Sequence, residues 1–509
     1  MDRRTAAGSG AAAKGVGAAL AVTLALALAG CGGGASGGTS ARLTVGMQGA
    51  PLSLAANTTV TGGRTMYYQA VYDTLVLLRP DGTPAPMLAT KWAYNPEQTV
   101  LTLTLRGGVK FTNGAPFDAS AAKANLERNV KVGFNAQAMS AVKSFAAPDA
   151  ATLVITLKQK DPGIVRALGT SISYMQAPNT FDKPDAATRP VGTGPYTVAS
   201  DTVIGSNYVY KKNPGYWNAG AVRYNELALK SFTDQSAMAN AIRSGQVNAA
   251  HMYTSLNKQV RAAGWSVATQ KLDVAGLFLF DREGKVSPAL KDRRVRQAIN
   301  LAVNREALLR VVSGGMGTTT AQMFSTDSGP LDPALETRWA YDPAKARALL
   351  KEAGHATDVK ITMPTTAAGK VLMDVVKQQL GAVGVTVDLK DGGPNVTSDI
   401  LAAKYPASYF PFQGGDPWFM MQQLLAPQAP LNPFRVRDAR MLGLIDRYRA
   451  GDATAQRAAL KELNAHLTEQ AWFAPWLHVE MPWATDTRTS VRLVKNYTSP
   501  YVLNFTPKA

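Results

Sequence analysis

The chain of 509 residues contains one cysteine, Cys31, and this single thiol limits how the fold can be stabilised. An internal disulfide needs two cysteines, and zinc or iron–sulfur sites built on thiolates need several. The fold must therefore be held together by its hydrophobic core. The roughly 470 residues that follow position 40 are enough for a large core, and their number predicts two or three domains.

The residues before Cys31 have the layout of an export signal. Arg3, Arg4 and Lys14 form a basic start, and residues 15–30 are uncharged and rich in Ala, Leu and Val. This run is shorter than the roughly 20 residues that cross a bilayer, which predicts a cleaved signal peptide at 1–30. No later stretch is apolar for that length, so no transmembrane helix is expected.

The segment Leu28-Ala29-Gly30-Cys31 resembles the lipobox of bacterial lipoproteins. In that family the cysteine sulfur receives a diacylglyceryl group and the signal is cut before it. The resemblance implies that Cys31 anchors the protein to a membrane; an ordinary signal peptide with a chance cysteine is the alternative. Residues 32–40 are nearly all Gly, Ala, Ser and Thr, which predicts that 31–41 hold the lipidated cysteine and a flexible tether.

The chain carries a net charge of +18, and a basic chain raises the question of nucleic-acid or acidic partners. The densest basic segments, residues 292–296 and 435–440, are interrupted by acidic and apolar residues at helical spacing. We interpret them as solvated helix faces. We therefore expect no nucleic-acid partner.

Strand and helix patterns alternate after the tether. Leu101, Leu103 and Leu105 are separated by threonines, a period of two that predicts a half-buried strand. Asp118 is expected to start a helix that runs to about Val130.

The second half of the chain is more regular. Asp342 followed by Pro343 predicts a helix start, and Gly354 predicts its end. Further strands are expected at 359–363, 385–389 and 407–412, and helices at 370–380 and 398–404. This alternation predicts an α/β domain with a largely parallel sheet.

Patterns that carry catalysis or metal binding are mostly missing. None of the four histidines has a second histidine at helical ligand spacing. Residues 34–38 match a nucleophile-elbow pattern, but they lie in the tether and not on a strand-to-helix turn. A metal site assembled from distant segments stays open at this point, as do paired carboxylates for glycoside hydrolysis. We predict no catalytic residues, no metal site and no cofactor.

Four groups of motifs, in order along the chain, resemble the family 5 solute-binding proteins of ABC importers, which include dipeptide, oligopeptide and nickel-chelate receptors. The groups are residues 87–92 with 101–114, residues 190–196 with 212–217, residues 292–299 with 302–306, and residues 341–346 with 349–354. The resemblance spans residues 43–509. We expect these motifs to specify the fold rather than to contact a ligand.

The resemblance implies an α/β, bilobal periplasmic-binding-protein-like fold with an additional small domain and a hinge between the lobes. Lobe I is expected to comprise residues 42–62, 190–275 and 485–509. The small domain is expected at 63–189, and lobe II at 276–484. Such proteins enclose a solute by closing the hinge.

The resemblance also assigns ligand contacts. These residues are Thr61, Tyr67, Phe280, Phe410, Gln413, Asp416 and Trp418. Peptide-binding members have an aspartate for the peptide's α-ammonium three residues before the Asp-Pro pair, where this chain has Gln413. Dipeptide binders also have an arginine shortly after the strand that ends at Pro364, where this chain has Thr365 to Gly369. A free dipeptide is therefore not the expected ligand.

The function implied is that of a monomeric, lipid-anchored receptor on the outer face of the cell membrane. It would capture a small-molecule or peptide-like solute and deliver it to the permease subunits of an ABC transporter, without catalysis. A solute sensor or interaction protein with the same fold is one alternative. A surface hydrolase is another.

Overall fold

The computed structural model describes residues 40–508 apart from 59–61, 132, 327–328, 367–368 and 414–415. The predicted signal peptide, Cys31 and Thr61 lie outside the described residues, as does nearly all of the tether. Among the described residues, no helix combines the length and apolar character needed to cross a membrane.

Strands and helices alternate along the whole described chain. The strands are β1 (Ser40–Gln48), β2 (Val76–Leu78), β3 (Pro84–Pro86), β4 (Ala89–Tyr94), β5 (Val100–Leu105), β6 (Val142–Asp149), β7 (Thr152–Leu157), β8 (Tyr196–Val198), β9 (Asn207–Lys212), β10 (Tyr224–Phe232), β11 (Ala249–His251), β12 (Ser266–Ala268), β13 (Lys271–Leu279), β14 (Thr318–Thr319), β15 (Ser325–Thr326), β16 (Gly329–Pro330), β17 (Val359–Thr365), β18 (Val385–Asp391), β19 (Ala407–Gln413), β20 (Phe473–Glu480), β21 (Trp483–Thr485), β22 (Thr489–Val491) and β23 (Phe505–Pro507). The helices are α1 (Thr65–Gln69), α2 (Ala119–Asn129), α3 (Gly133–Ala138), α4 (Ile164–Ala167), α5 (Gln235–Arg243), α6 (Asn257–Ala262), α7 (Arg293–Leu301), α8 (Arg305–Ser313), α9 (Pro333–Glu336), α10 (Pro343–Glu352), α11 (Lys370–Gly381), α12 (Val396–Leu401), α13 (Pro417–Leu424), α14 (Ala439–Ala450) and α15 (Ala453–Gln470).

A mixed seven-stranded sheet forms lobe I, in the order β12-β21-β11-β1-β10-β9-β8. Strand β1 runs parallel to β10 and β11, and the remaining pairs are antiparallel. Its core contains buried tyrosines from several segments, among them Tyr67, Tyr68 and Tyr72. Helix α1 therefore packs into lobe I, although the predicted boundary assigns it to the small domain.

An antiparallel sheet of four strands, β4-β5-β7-β6, forms the small domain. Leu101, Leu103 and Leu105 are buried on one face, as the alternation predicts. The Asp118 carboxylate accepts a hydrogen bond from Ala121 N at 2.8 Å and caps α2. The predicted strand and helix are both confirmed.

Lobe II contains a four-stranded antiparallel sheet, β14-β20-β13-β19, beside a parallel pair, β17 and β18. The predicted helix start at Asp342 is confirmed, because its carboxylate accepts from Lys345 N. The prediction of a largely parallel sheet is wrong. Strand β19 pairs with β13, which lies more than a hundred residues earlier, and local periodicity carries no information about that partner or its direction.

Two chain connections join the sheets of lobes I and II. Strand β12 leads into β13, and β20 leads into β21. Met481 N donates to Gln270 O at 3.0 Å, so the connections lie side by side. They fall between residues 268 and 271 and between 480 and 483, near the predicted boundaries at 275/276 and 484/485. Two adjacent extended segments are a suitable hinge.

Two of the family-like motifs meet at one buried carboxylate, Asp73. Tyr216 Oη and Trp217 Nε1 each donate to it at 2.9 Å, and Asp73 N donates to Thr193 Oγ1 at 3.3 Å. Burial raises the pKa of Asp73 to about 7 against these stabilising donors. These motif residues thus form the junction between lobe I and the small domain, in line with the expectation that they specify the fold.

Candidate functional site

A cavity of about 110 Å³ lies where lobe I, the small domain and lobe II meet. Its lining comes from all three parts. Lobe I supplies Gly62, Thr65, Asn496, Tyr497 and Thr498; the small domain supplies Asn135, Ala138, Gly163, Arg166, Ala167, Thr170, Ser171 and Ile172; lobe II supplies Asp416, Trp418, Phe419 and Gln422. We call it the interlobe cavity.

Asp416 joins lobe II to the small domain at the edge of this cavity. Its Oδ1 accepts from Phe419 N at 3.0 Å and caps α13, and Pro417 follows at the first helical position. Its Oδ2 lies 3.0 Å from Arg166 Nε. Asp416 therefore caps α13, and the ion pair adds a contact between two domains.

Arg166 also holds lobe I. Its Nη1 donates to Gly82 O at 2.8 Å, and its Nη2 donates to Asn496 O at 2.8 Å. Gly82 lies in the turn between β2 and β3, within the small domain itself, whereas Asn496 lies in the C-terminal segment of lobe I. One guanidinium therefore fixes the small domain against both lobes, a geometry that its planar array of five donors allows.

Trp418 connects lobe II to the small domain through Asp161. Trp418 Nε1 donates to Asp161 Oδ1 at 2.8 Å, and Gln422 Nε2 donates to Oδ2 at 3.3 Å. The Trp418 indole packs over Gly163, where an added Cβ would lie 2.4 Å from Trp418 Cδ1. Burial raises the pKa of Asp161 to about 6, although the hydrogen bonds from Gly163 N, Trp418 and Gln422 act in the opposite direction.

The raised pKa of Asp161 makes this contact depend on pH. The stability that protonated Asp161 contributes to the fold is fully present at a pH below 3.8, the ordinary pKa of the group. It is lost as the pH rises through about 6, its pKa in the folded protein. The free energy of unfolding of the parent, relative to that of Asp161→Asn, should rise by about 2 kcal/mol when the pH is lowered from 7.5 to 4.5. Denaturant unfolding of both proteins at the two pH values measures it. A difference that does not change with pH would contradict the assignment.

A second cavity of about 500 Å³ lies within lobe II, and we call it the lobe II cavity. Thr365 at the end of β17, Val396 in α12 after β18, and Phe410 in β19 line it. The carboxyl ends of parallel strands are a common location for ligands in α/β proteins. Phe410 thus lines a cavity, and that cavity is built from lobe II alone.

The predicted contact residues are separated by the structure. Asp416 and Trp418 line the interlobe cavity, and Phe410 lines the lobe II cavity. Tyr67 is fully buried in the lobe I core and donates to Gly49 O, and Phe280 is fully buried in a lobe II core. The backbone of Gln413 ends β19 opposite Asp273. For these residues ligand contact stays a prediction.

Sequence reasoning missed Arg166, Asp161 and Asn496. Asp161-Pro162-Gly163 has the composition of an ordinary turn, and Arg166 is one of many arginines in the chain. No local pattern indicates that either faces a residue of lobe II. The sequence does not indicate which residues of different domains contact each other, and these three residues are defined by such contacts.

The described residues contain no group of three or more His, Cys, Asp or Glu side chains placed to hold a metal ion. His251 is buried and stacks on Trp483 beside the hinge, and burial lowers its pKa to about 4. His466 contacts Asp438, and His355 contacts Asp358. These three histidines therefore lie in separate surroundings.

Comparison with known proteins decides the family. The model of the bacterial extracellular solute-binding proteins, family 5, matches residues 83–430. The chain belongs to this family. The resemblance drawn from the motifs is thereby confirmed.

Curated relatives of this family 5 protein include glutathione-binding protein GsiB of Salmonella typhimurium strain LT2. The two are 29% identical over 334 residues, which cover 62% of this chain and 63% of the relative. GsiB of Escherichia coli O157:H7 is 28% identical over 316 residues, covering 59% of each protein. The match spans less than two thirds of these relatives.

Solved structures show the fold of the family 5 protein. DppA from Helicobacter pylori, in complex with peptide STSA, superposes with a TM-score of 0.80 at 20% identity, covering 93% of this chain and 99% of DppA. NikA from Brucella suis, in complex with Fe(III)-EDTA, gives 0.75 at 23% identity, covering 92% and 100%. The predicted bilobal α/β class is confirmed.

Proposed function

We propose that the protein is the substrate-binding receptor of an ABC importer and captures a small solute between its lobes. The observation that carries this proposal is the interlobe cavity, whose lining comes from three domains around a two-stranded hinge. A solute held there contacts both lobes at once. It therefore favours the closed arrangement over an open one by its differential affinity. Membership of family 5 supports the same role.

The proposal includes a lipid anchor on Cys31 at the outer face of the membrane. A receptor that hands its solute to permease subunits gains from staying close to them, because tethering raises its effective concentration. The tether composition of residues 32–40 suits this arrangement. The protein acts as a monomer without catalysis.

Solute binding should close the lobes, and Gly163→Ala should oppose this closure. The added Cβ would lie 2.4 Å from Trp418 Cδ1 across the contact between small domain and lobe II. We expect the parent, stripped of solute by unfolding and refolding, to become more compact in small-angle scattering when the low-molecular-weight fraction of yeast extract is added. Gly163→Ala should show a smaller change.

Gly107→Ala is the matched control in the same domain, because its added Cβ meets no atom within 4 Å. If the parent shows no compaction and no rise in melting temperature when the fraction is added, the receptor proposal is contradicted. Mass spectrometry of the retained solute, before and after prolonged incubation, tests the absence of catalysis. Steady conversion of that solute would favour a hydrolase.

A further inference from the structure

The charged groups that line the interlobe cavity neutralise each other. In the described part of the chain, Arg166 and Asp416 are the two charged residues of its lining. They form one ion pair, with side-chain exposures of 18% and 24%. The cavity therefore presents a balanced pair to a solute, and neither group is a free cation or a free anion.

Both members of this pair are already engaged by the protein. Arg166 donates from Nε to Asp416, from Nη1 to Gly82 O and from Nη2 to Asn496 O. Asp416 uses its other oxygen to cap α13. A charged solute must either keep its charge unpaired in the closed site or break the Arg166–Asp416 ion pair, and either is costly.

The remaining lining suits an uncharged solute. Asn135, Thr170 and Thr498 bring neutral amide and hydroxyl groups to the cavity, and Trp418 and Phe419 bring aromatic ones. The described lining of the lobe II cavity contains threonines, a serine, a tyrosine and apolar residues, and no charged residue. Neutral donors and acceptors recognise hydroxyl and amide groups, and aromatic faces pack against apolar ones.

Two further carboxylates of the described residues, Asp161 and Asp281, are engaged by the protein and are not free to accept an ammonium. Asp161 accepts from Trp418 and Gln422. Asp281 is fully buried and accepts from three backbone N–H groups, those of Lys285, Val286 and Ser287. Asp273 stands opposite Gln413 in the register of β13 and β19, so the experiment below includes its variant.

We propose that this site selects an uncharged solute rich in hydroxyl or amide groups with one apolar face, such as a peptide blocked at both ends or a sugar. The proposal rests on the proposed receptor function. It also agrees with Gln413, whose neutral amide replaces the carboxylate expected of peptide-binding members.

Calorimetry with matched peptides tests the charge preference. N-acetyl-trialanine amide should bind about 100-fold more tightly than zwitterionic trialanine, by analogy with leaving one partner of a buried pair unmatched. Maltotriose is the uncharged probe from the other chemical class. Equal or tighter binding of zwitterionic trialanine overturns the proposal. Loss of that binding in Asp273→Asn would identify the carboxylate responsible.

Failure of both uncharged probes at millimolar concentration also overturns the proposal. This result is distinguishable from failure of the receptor function. If the protein still becomes more compact in the yeast-extract fraction, the receptor proposal stands and only the proposed solute class is excluded. If the fraction has no effect on the protein, both proposals fail.

Breaking the ion pair should change the charge preference in a chosen direction. Asp416→Asn frees Arg166, and should raise the affinity for N-acetyl-trialanine, which keeps its carboxylate, at least about 10-fold. Arg166→Gln frees Asp416, and should raise the affinity for trialanine amide, which keeps its ammonium, by a similar factor. Arg447→Gln, in the exposed pair with Glu462 and outside the lining of both cavities, is the matched control and should change neither affinity. Melting temperatures show which variants remain folded, and unchanged preferences in both folded variants contradict the proposal.

Discussion

Replacing Cys31 by serine should move the protein from the membrane fraction to the soluble fraction, or leave it as an uncut precursor. A serine hydroxyl cannot take the thioether-linked diacylglyceryl group that the lipobox resemblance implies for Cys31. Stable anchoring requires two acyl chains or more, since a single chain binds a bilayer only marginally. The expected effect is therefore close to complete. Fractionation followed by mass spectrometry of the N-terminal peptide measures both location and processing.

Ser36→Ala, within the same tether, is the matched control and should remain in the membrane fraction. A Cys31→Ser protein that is processed normally and stays in the membrane fraction would contradict the anchor. The receptor proposal would survive that result, because the solute site and the anchor occupy separate parts of the chain.

Replacing Gly192 by alanine should cost the protein a large part of its stability. An added Cβ would lie 1.9 Å from Val71 O, and 2.9 Å from the carbonyl carbon of the same residue. These are backbone atoms that no side-chain rotation can move. Overpacking of this kind costs roughly 3 kcal/mol, and denaturant unfolding measures the loss.

The position of Gly192 explains why so large a loss is expected. The turn that contains it holds Thr193 against Asp73 N, and Gly194 N donates to Val71 O at 3.0 Å. Gly107→Ala, where an added Cβ meets nothing within 4 Å, should stay near the parent stability. Similar unfolding free energies for the two variants would show that the turn can move away from Val71, and would contradict this packing argument.

Contacts between the small domain and lobe II indicate what the additional domain contributes. Lys160 Nζ donates to Ala450 O at the end of α14, and Asp161 and Arg166 hold α13. These three residues lie within seven positions of one another, Lys160 and Asp161 just before α4 and Arg166 within it. One short segment of the small domain therefore contacts two helices of lobe II.

Local chemistry determined much of what the sequence predicted correctly. Asp118 and Asp342 cap the helices that follow them, because a capping carboxylate needs only backbone N–H groups two or three residues away. The alternation at Leu101 to Leu105 produced a strand with one buried face, because side chains on a strand alternate between faces. The family could be inferred from the motifs, which form locally defined turns and helix starts.

The tertiary structure alone decided strand partners and the residues that meet in the interlobe cavity. Strand β19 pairs antiparallel with β13, and Trp418 meets Asp161 across 257 positions of sequence. Arg166 and Asp416 form an ion pair, although the local sequence around each residue does not indicate its partner. The physical reason is that such contacts depend on how whole lobes pack around the hinge, while periodicity and capping report only on neighbours along the chain.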